Sequence, residues 1–260
     1  MTRLHFIRGL CALALGWLIT ASRAAAAEFD QTHALFTGIL AQYVKDARVN
    51  YAALKAHREA LNRYLDRVAA VTKGDFKKWN EPQQIAFLSN AYNAYTLRLI
   101  IDHYPIKGIK DIGSLLYGPW DQPIVKLLGE TTNLKTVEHK MLRKDYAEPR
   151  IHFALVCAAK GCPPLRSEAS VGVRLDEQLN DQAKQFLASP DKNRIAPTER
   201  VVYLSPIFKW YGSDFEKKSG SVLGALRRYW PEKPAAALAK GDFKIRYTDY
   251  DWSLNDQTGK

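Results

Sequence analysis

The segment RIHFALVCAAKGCPPLR, residues 150–166, gathers the side chains best suited to chemistry. It holds Cys157 and Cys162 in a C-x4-C spacing, with His152 five residues ahead of the first cysteine. A second histidine, His139, precedes the segment. Three chemistries fit these residue types. A disulfide between the cysteines would close a tight loop and gain little loop entropy. A nucleophilic thiol would need a lowered pKa, supplied by a nearby base such as His139 or His152. A metal could take His139, His152, Cys157 and Cys162, but the cysteine spacing sits at the wide edge of zinc patterns and no second cysteine pair exists. No metal and no cofactor is assigned.

Chain order restricts the thiol reading. No histidine lies after His152, so both cysteines follow every histidine. A papain-like or transglutaminase-like enzyme places its histidine well after its cysteine, and that order does not hold here. In a regular strand His152 and Cys157 would point to opposite faces, a conflict that a turn at Cys157 would relax.

These residues need elements to position them. Leu35, Phe36, Ile39, Leu40 and Tyr43 fall at helical spacing between Phe29 and about Ala47, and Leu54, Leu61, Leu65 and Val68 mark a second amphipathic helix. Asn80-Glu81-Pro82-Gln83 is a helix start, with Asn80 as N-cap and Pro82 in the first turn. From Ile85 to Ile101 the following helix is apolar on nearly every side, which predicts a buried central helix. It carries Asn90 and Asn93, whose amides must find partners: a backbone loop or a substrate. His103-Tyr104-Pro105 ends it.

A strand at Ile124–Leu128 turns at Gly129. Asn133 caps a helix that bears Glu138, His139 and Arg143, the last two one turn apart. Arg150 to Cys157 reads as the best strand of the chain. A helix over Asp176–Leu187, a strand over Val201–Leu204, a helix near Ser221–Trp230 and a strand over Phe243–Tyr247 complete the pattern. The sum predicts an α+β fold: one predominantly helical domain with a small β-sheet. His33 and His57 read as exposed, and Trp120, Trp210, Trp230 and Trp252 as core.

The 260 residues hold 38 Lys and Arg against 27 Asp and Glu, a net charge of +11. That balance invites nucleic acid, yet no run of five basic residues and no finger, zipper or RNA-recognition signature is present, so no nucleic-acid partner is assigned. Part of the charge has another reading. MTRLHFIRG, then LCALALGWLITA, then ASRAAAA has the basic start, short apolar run and small-residue tail of a secretory signal peptide over residues 1–27. Cleavage near Ala27 removes three arginines and no acid, which leaves +8 on residues 28–260, together with Cys157 and Cys162 as the only cysteines. The expected location is periplasmic or secreted, with no transmembrane anchor after cleavage. Anionic envelope components are candidate partners.

VNYAALKA near Val49, FLSNAYNAYTL near Phe87, VEHKMLR near Val137, PRIHFALVCAAKGCPPLR near Pro149, IFKWYGSDF near Ile207 and YDWSLN near Tyr250 follow one another along the chain. In these pieces the sequence resembles the DUF547 family of bacterial and plant proteins, with departures at Leu88, Ser89 and Val156. The resemblance marks Asn90, Asn93, His139, Arg143, Arg150, His152, Cys157, Cys162 and Asp251 as motif positions and implies no particular reaction.

Two functions are carried forward. The first is a thiol-dependent hydrolase or acyl transferase on a peptide- or amide-like substrate, with Cys157 or Cys162 as nucleophile and His139 or His152 as base. Asn90, Asn93, Arg143 and Arg150 would bind the substrate. The second is a non-catalytic envelope protein that binds a small molecule, peptide or partner and holds a structural Cys157–Cys162 disulfide.

Overall fold

The computed structural model describes residues 28–114, 116–238 and 242–258. The expected signal peptide, residues 1–27, lies outside them. The fold is the expected α+β architecture, mostly helical with small sheets. Among the described residues, no helix is long and apolar enough to cross a membrane.

Helix α1 (Ala34–Tyr43) packs on α2 (Tyr51–Ala56) and α3 (Glu59–Ala70), these two pack on α5 (Glu81–His103), and α4 (Lys73–Lys78) sets Phe76 against Phe87 of α5. The second expected helix is thus two, broken at His57 and Arg58. At the start of α5 the Asn80 side chain accepts from the Gln83 amide and the Gln83 side chain returns to the Asn80 amide, each at 3.0 Å. This reciprocal cap fixes where the helix begins. Along α5, Ile85 to Leu97 are all buried, so the helix is the axis of the main core.

His33 corrects the sequence reading. It sits ahead of α1 rather than on its outer face, and is buried against Phe29, Phe87 and Tyr64. Its Nδ1 shares a 2.8 Å hydrogen bond with the Tyr64 hydroxyl, and Nε2 has no partner. Burial lowers its pKa to about 4. His57 is exposed, as expected.

Two short hairpins, β1 (Val44–Lys45) with β2 (Arg48–Val49) and β3 (Val125–Leu127) with β4 (Glu130–Thr132), decorate the helical core. Beyond β4 comes α6 (Leu134–Thr136), a π-helical stretch Val137–Leu142, and α7 (Arg143–Asp145).

The expected strand 150–157 is a second correction. Ile151–Ala154 is a helical turn, α8, and the chain becomes extended at Leu155. A short apolar run has the same composition in a buried strand and in a buried turn, so spacing alone does not separate them. The long α9 (Leu175–Leu187) follows.

A three-stranded sheet forms from β5 (Arg194–Ala196), β6 (Val201–Leu204) and β7 (Lys244–Tyr247). β6 is central, antiparallel to β5 and parallel to β7. Short helices α10 (Ile207–Trp210), α11 (Gly212–Ser219) and α12 (Val222–Leu226) pack on it around a second core of Phe153, Phe186, Phe208 and Phe215. The last segment then crosses back to the main core. Leu254 bridges to Ala159 and Asp256 to Val49.

Candidate functional site

A cavity of about 320 Å³ opens where the two cores meet. Tyr92 and Leu155 come to it from the α5 core, and Ile207 from the β6 core. Its wall also holds Glu138, His139, His152, Cys157, Cys162, Trp120, Trp210, Tyr211, Tyr250 and Trp252. The volume falls in the range of small-ligand pockets. Both histidines and both cysteines singled out in the sequence therefore share one pocket.

The cysteine loop is tied down tightly. Cys157 and Cys162 are paired as a disulfide, with a Cα–Cα distance of 6.3 Å. Cys162 is buried and Cys157 partly exposed. The Cys157 amide donates to Cys162 Sγ at 3.0 Å. Ala158 has φ 60, a left-handed conformation that is costly for alanine and is held here by the Asn255 amide on its carbonyl. At Gly161 a Cβ would lie 3.0 Å from the Asp251 backbone and the Tyr250 ring, so the absence of a side chain lets the last segment press against the loop. That contact brings the Tyr250 hydroxyl within 3.2 Å of both sulfurs. Burial pushes the Tyr250 phenol up, so at neutral pH it faces the sulfurs as an O–H.

The two histidines of the cavity wall are joined by a chain of polar contacts. His152 Nε2 donates to Asp214 Oδ2 at 2.9 Å. Arg143 grips the same carboxylate with Nε at 2.7 Å and Nη2 at 3.1 Å, and its Nη1 donates to His139 Nδ1 at 2.7 Å. A guanidinium has no acceptor, so His139 Nδ1 must offer a lone pair and the ring proton sits on Nε2. By the same logic His152, bonded to a carboxylate through Nε2, keeps Nδ1 as its free lone pair when neutral. Burial lowers the His152 pKa, partly offset by the Asp214 bond. The His152 and Arg143 bonds hold the Asp214 carboxyl well below the ordinary range. His152 also stacks on Tyr211, ring centroids 4.0 Å apart.

The π-helical stretch carries Glu138 and His139 into this pocket, and such stretches recur at functional sites. Glu138 is buried, and Tyr92 donates to it at 3.4 Å. Burial, then the Glu138 carboxylate, push the Tyr211 phenol up.

The remaining predicted site residues stand elsewhere. Asn90 exchanges two hydrogen bonds with the Ser170 backbone, at 2.7 and 2.9 Å. Asn93 does the same with the Ala154 carbonyl and the Val156 amide, both at 2.9 Å. Both amides are thus spent on backbone, and neither residue lines the cysteine pocket. Arg150 is half-buried and spent on Glu148, Asp176 and Asn180. Arg143 acts on the pocket through Asp214 and His139 rather than from its wall. Asp251 caps the Ser253 amide and accepts Gly161 through its carbonyl.

Among the described residues, no three His, Cys, Asp or Glu side chains converge as a metal-ligand set. Sequence reasoning gave no role to Asp214, Glu138, Tyr211 or Tyr250, and it read the pocket tryptophans as core. Trp230 is buried, but Trp120, Trp210 and Trp252 face the cavity and Trp210 is 45% exposed.

The fold and pocket define a mostly helical α+β protein whose paired cysteines share an aromatic cavity with two histidines, His139 and His152, that Arg143 and Asp214 link from behind the wall. Residues 76–187 match the family described as protein of unknown function, DUF547, which supports the resemblance read in the sequence. The match spans α5, both pocket histidines and both cysteines, and ends before Trp210, Tyr211, Asp214, Tyr250 and Trp252. No curated protein and no solved structure matches the chain.

Proposed function

We propose that the pocket carries out thiol-dependent acyl transfer or hydrolysis on a peptide- or amide-like substrate, in an exported protein. The observation that carries this reading is the convergence of His139, His152, Cys157 and Cys162 on one cavity. Cys157, the more exposed sulfur, is the nucleophile. Cys162 is its redox partner.

The disulfide masks the thiol, so the working form follows reduction by a thiol or dithiol. Two electrons open the S–S bond and the donor leaves as its own disulfide. Cys157 gives its thiol proton to His152 Nδ1, directly or through water, and the thiolate attacks the substrate carbonyl carbon. As the C–N bond breaks, the imidazolium passes that proton to the departing amine. Water or a second acceptor cleaves the thioester. Asp214 orients His152, and the His139 Nε2–H and the Tyr250 O–H supply hydrogen bonds to developing negative charge.

Export rests on the N-terminal sequence pattern, and a disulfide suits an oxidising compartment. A loop this short contributes about 2 kcal/mol of loop entropy, so the reduced protein is expected to stay folded for assay.

The disulfide and the backbone use of Asn90 and Asn93 favour a second reading, a non-catalytic ligand-binding protein of the cell envelope. Cys157→Ser and Cys162→Ser, assayed side by side after reduction with an activated ester, separate the two. The enzyme reading expects Cys157→Ser to lose ester cleavage and Cys162→Ser to keep it. Equal, background cleavage by wild type and both variants would leave only the binding protein.

A further inference from the structure

The pocket has a charge pattern that acyl transfer does not require. Its ionisable wall consists of Asp121, Lys135, Glu138, His139 and His152. Lys135 is paired with Asp121 at 3.2 Å. His139 takes a hydrogen bond from Arg143 on one ring nitrogen, and His152 gives one to Asp214. Asp214 in turn neutralises Arg143. Glu138 is what remains.

Glu138 is buried, with only 7% of the residue exposed. Its hydrogen-bond partner is the Tyr92 phenol, and it takes part in none of the ion pairs among the described residues. Among the described residues no cation touches this carboxylate; the field of Arg143 reaches it, but that guanidinium is already paired with Asp214, so a bound positive charge would offset the cost of burial. Residues 28–260 carry a net charge of +8, so an acidic pocket runs against the average field of the molecule.

Beside Glu138 stand Tyr92, which donates to it, and Tyr211, whose phenol it pushes up. Trp120, Trp210, Tyr211, Tyr250 and Trp252 line the same cavity. Trp252 already accepts an ammonium on one face, with Lys110 Nζ 3.7 Å from the ring centroid. Aromatic faces beside a carboxylate attract organic cations by cation–π and Coulomb forces together, and they pay little desolvation for the alkyl groups.

We infer that the Glu138 end of the cavity is a binding subsite for an organic ammonium group, carried by the ligand that enters the pocket. The group sits against the Glu138 carboxylate with its alkyl part on the tryptophans. The inference goes beyond acyl transfer and does not depend on it. In combination, the ammonium is a recognition handle on the substrate or on the acyl acceptor.

Tryptophan fluorescence of the whole protein, without turnover, tests it. The probes are choline, n-butylammonium, the neutral isostere 3,3-dimethylbutan-1-ol, and acetate. Expected is saturable quenching by at least one of the two ammonium ions, with the isostere about tenfold weaker or worse and acetate silent. Glu138→Gln should weaken ammonium binding by about tenfold or more and leave the isostere unchanged. Trp210→Ala, a partly exposed position, should weaken it several-fold and serves if Glu138→Gln does not fold. The proposal is overturned if neither ammonium ion saturates, if the isostere binds as tightly, or if the folded variants bind ammonium like wild type. A failed titration leaves the thiol chemistry standing, and an inert thiol leaves the titration standing.

Discussion

His152 Nε2 lies 2.9 Å from Asp214 Oδ2, and Arg143 holds both oxygens of the same carboxylate, Nε on Oδ2 at 2.7 Å and Nη2 on Oδ1 at 3.1 Å. A carboxylate fixed at both oxygens cannot rotate, so it sets the His152 ring orientation and its tautomer. Asp214→Asn is expected to reduce ester turnover of the reduced protein by roughly a hundredfold. The pH dependence has a definite sign. His152 acts in its neutral form, and burial puts its pKa below 6.5, so the acid limb of the rate profile lies below 6.5. The Asp214 bond raises that pKa, so its loss moves the limb of the residual activity further toward acid. A limb that moves toward alkali, or unchanged turnover, would contradict this role.

Tyr250→Phe removes the hydroxyl that lies 3.2 Å from both sulfurs. An O–H donor favours a thiolate over a thiol. The pH midpoint for alkylation of reduced Cys157 by iodoacetamide should therefore rise in the variant, with the fold intact by circular dichroism. An unchanged midpoint would make Tyr250 a packing residue only.

Asn93 ties α5 to the segment that leads into Cys157, through one bond to Ala154 and one to Val156. Asn93→Ala leaves a buried carbonyl and a buried amide unpaired, at a cost of about 2–4 kcal/mol. Urea denaturation should show that loss. A substrate-binding asparagine would instead raise KM with little change in stability, and that result would overturn the structural assignment. Asn90 ties α5 to the Ser170 loop in the same way, and Asn90→Ala should likewise cost stability.

The central helix was legible because its signals were local. Asn80 and Gln83 made the cap that the spacing predicted, and continuous apolarity from Ile85 marked burial. The pocket was half legible. His139, His152 and the cysteines stood out by type, and the His139–Arg143 contact followed from one turn of helix. The other wall did not announce itself. Asp214 reaches His152 across 62 residues and Tyr250 reaches Cys157 across 93, through packing that no local period encodes. The pieces IFKWYGSDF and YDWSLN contained these residues, but tryptophans and tyrosines in such stretches look the same whether they fill a core or line a cavity. Ile151–Ala154 was misread for the same reason, because apolar composition without a period leaves strand and turn equal.

His33 gives a stability test away from the pocket. Its folded pKa is near 4 because burial disfavours the charged ring, while the unfolded value is 6.5. Between those pH values the unfolded chain binds a proton that the folded chain refuses. Stability is therefore full above 6.5 and falls as pH drops toward 4, by up to about 3 kcal/mol. His33→Gln should flatten that slope, as read by urea unfolding at pH 4.5 and 7.5. An equal slope in the variant would assign the acid sensitivity to other groups.

Mass spectrometry of the reduced protein after brief exposure to an activated acyl ester tests the central claim most directly. The account predicts one acyl adduct, lost on treatment with hydroxylamine, located on Cys157 and absent from Cys157→Ser. A reduced, folded protein with no adduct on either cysteine would contradict it.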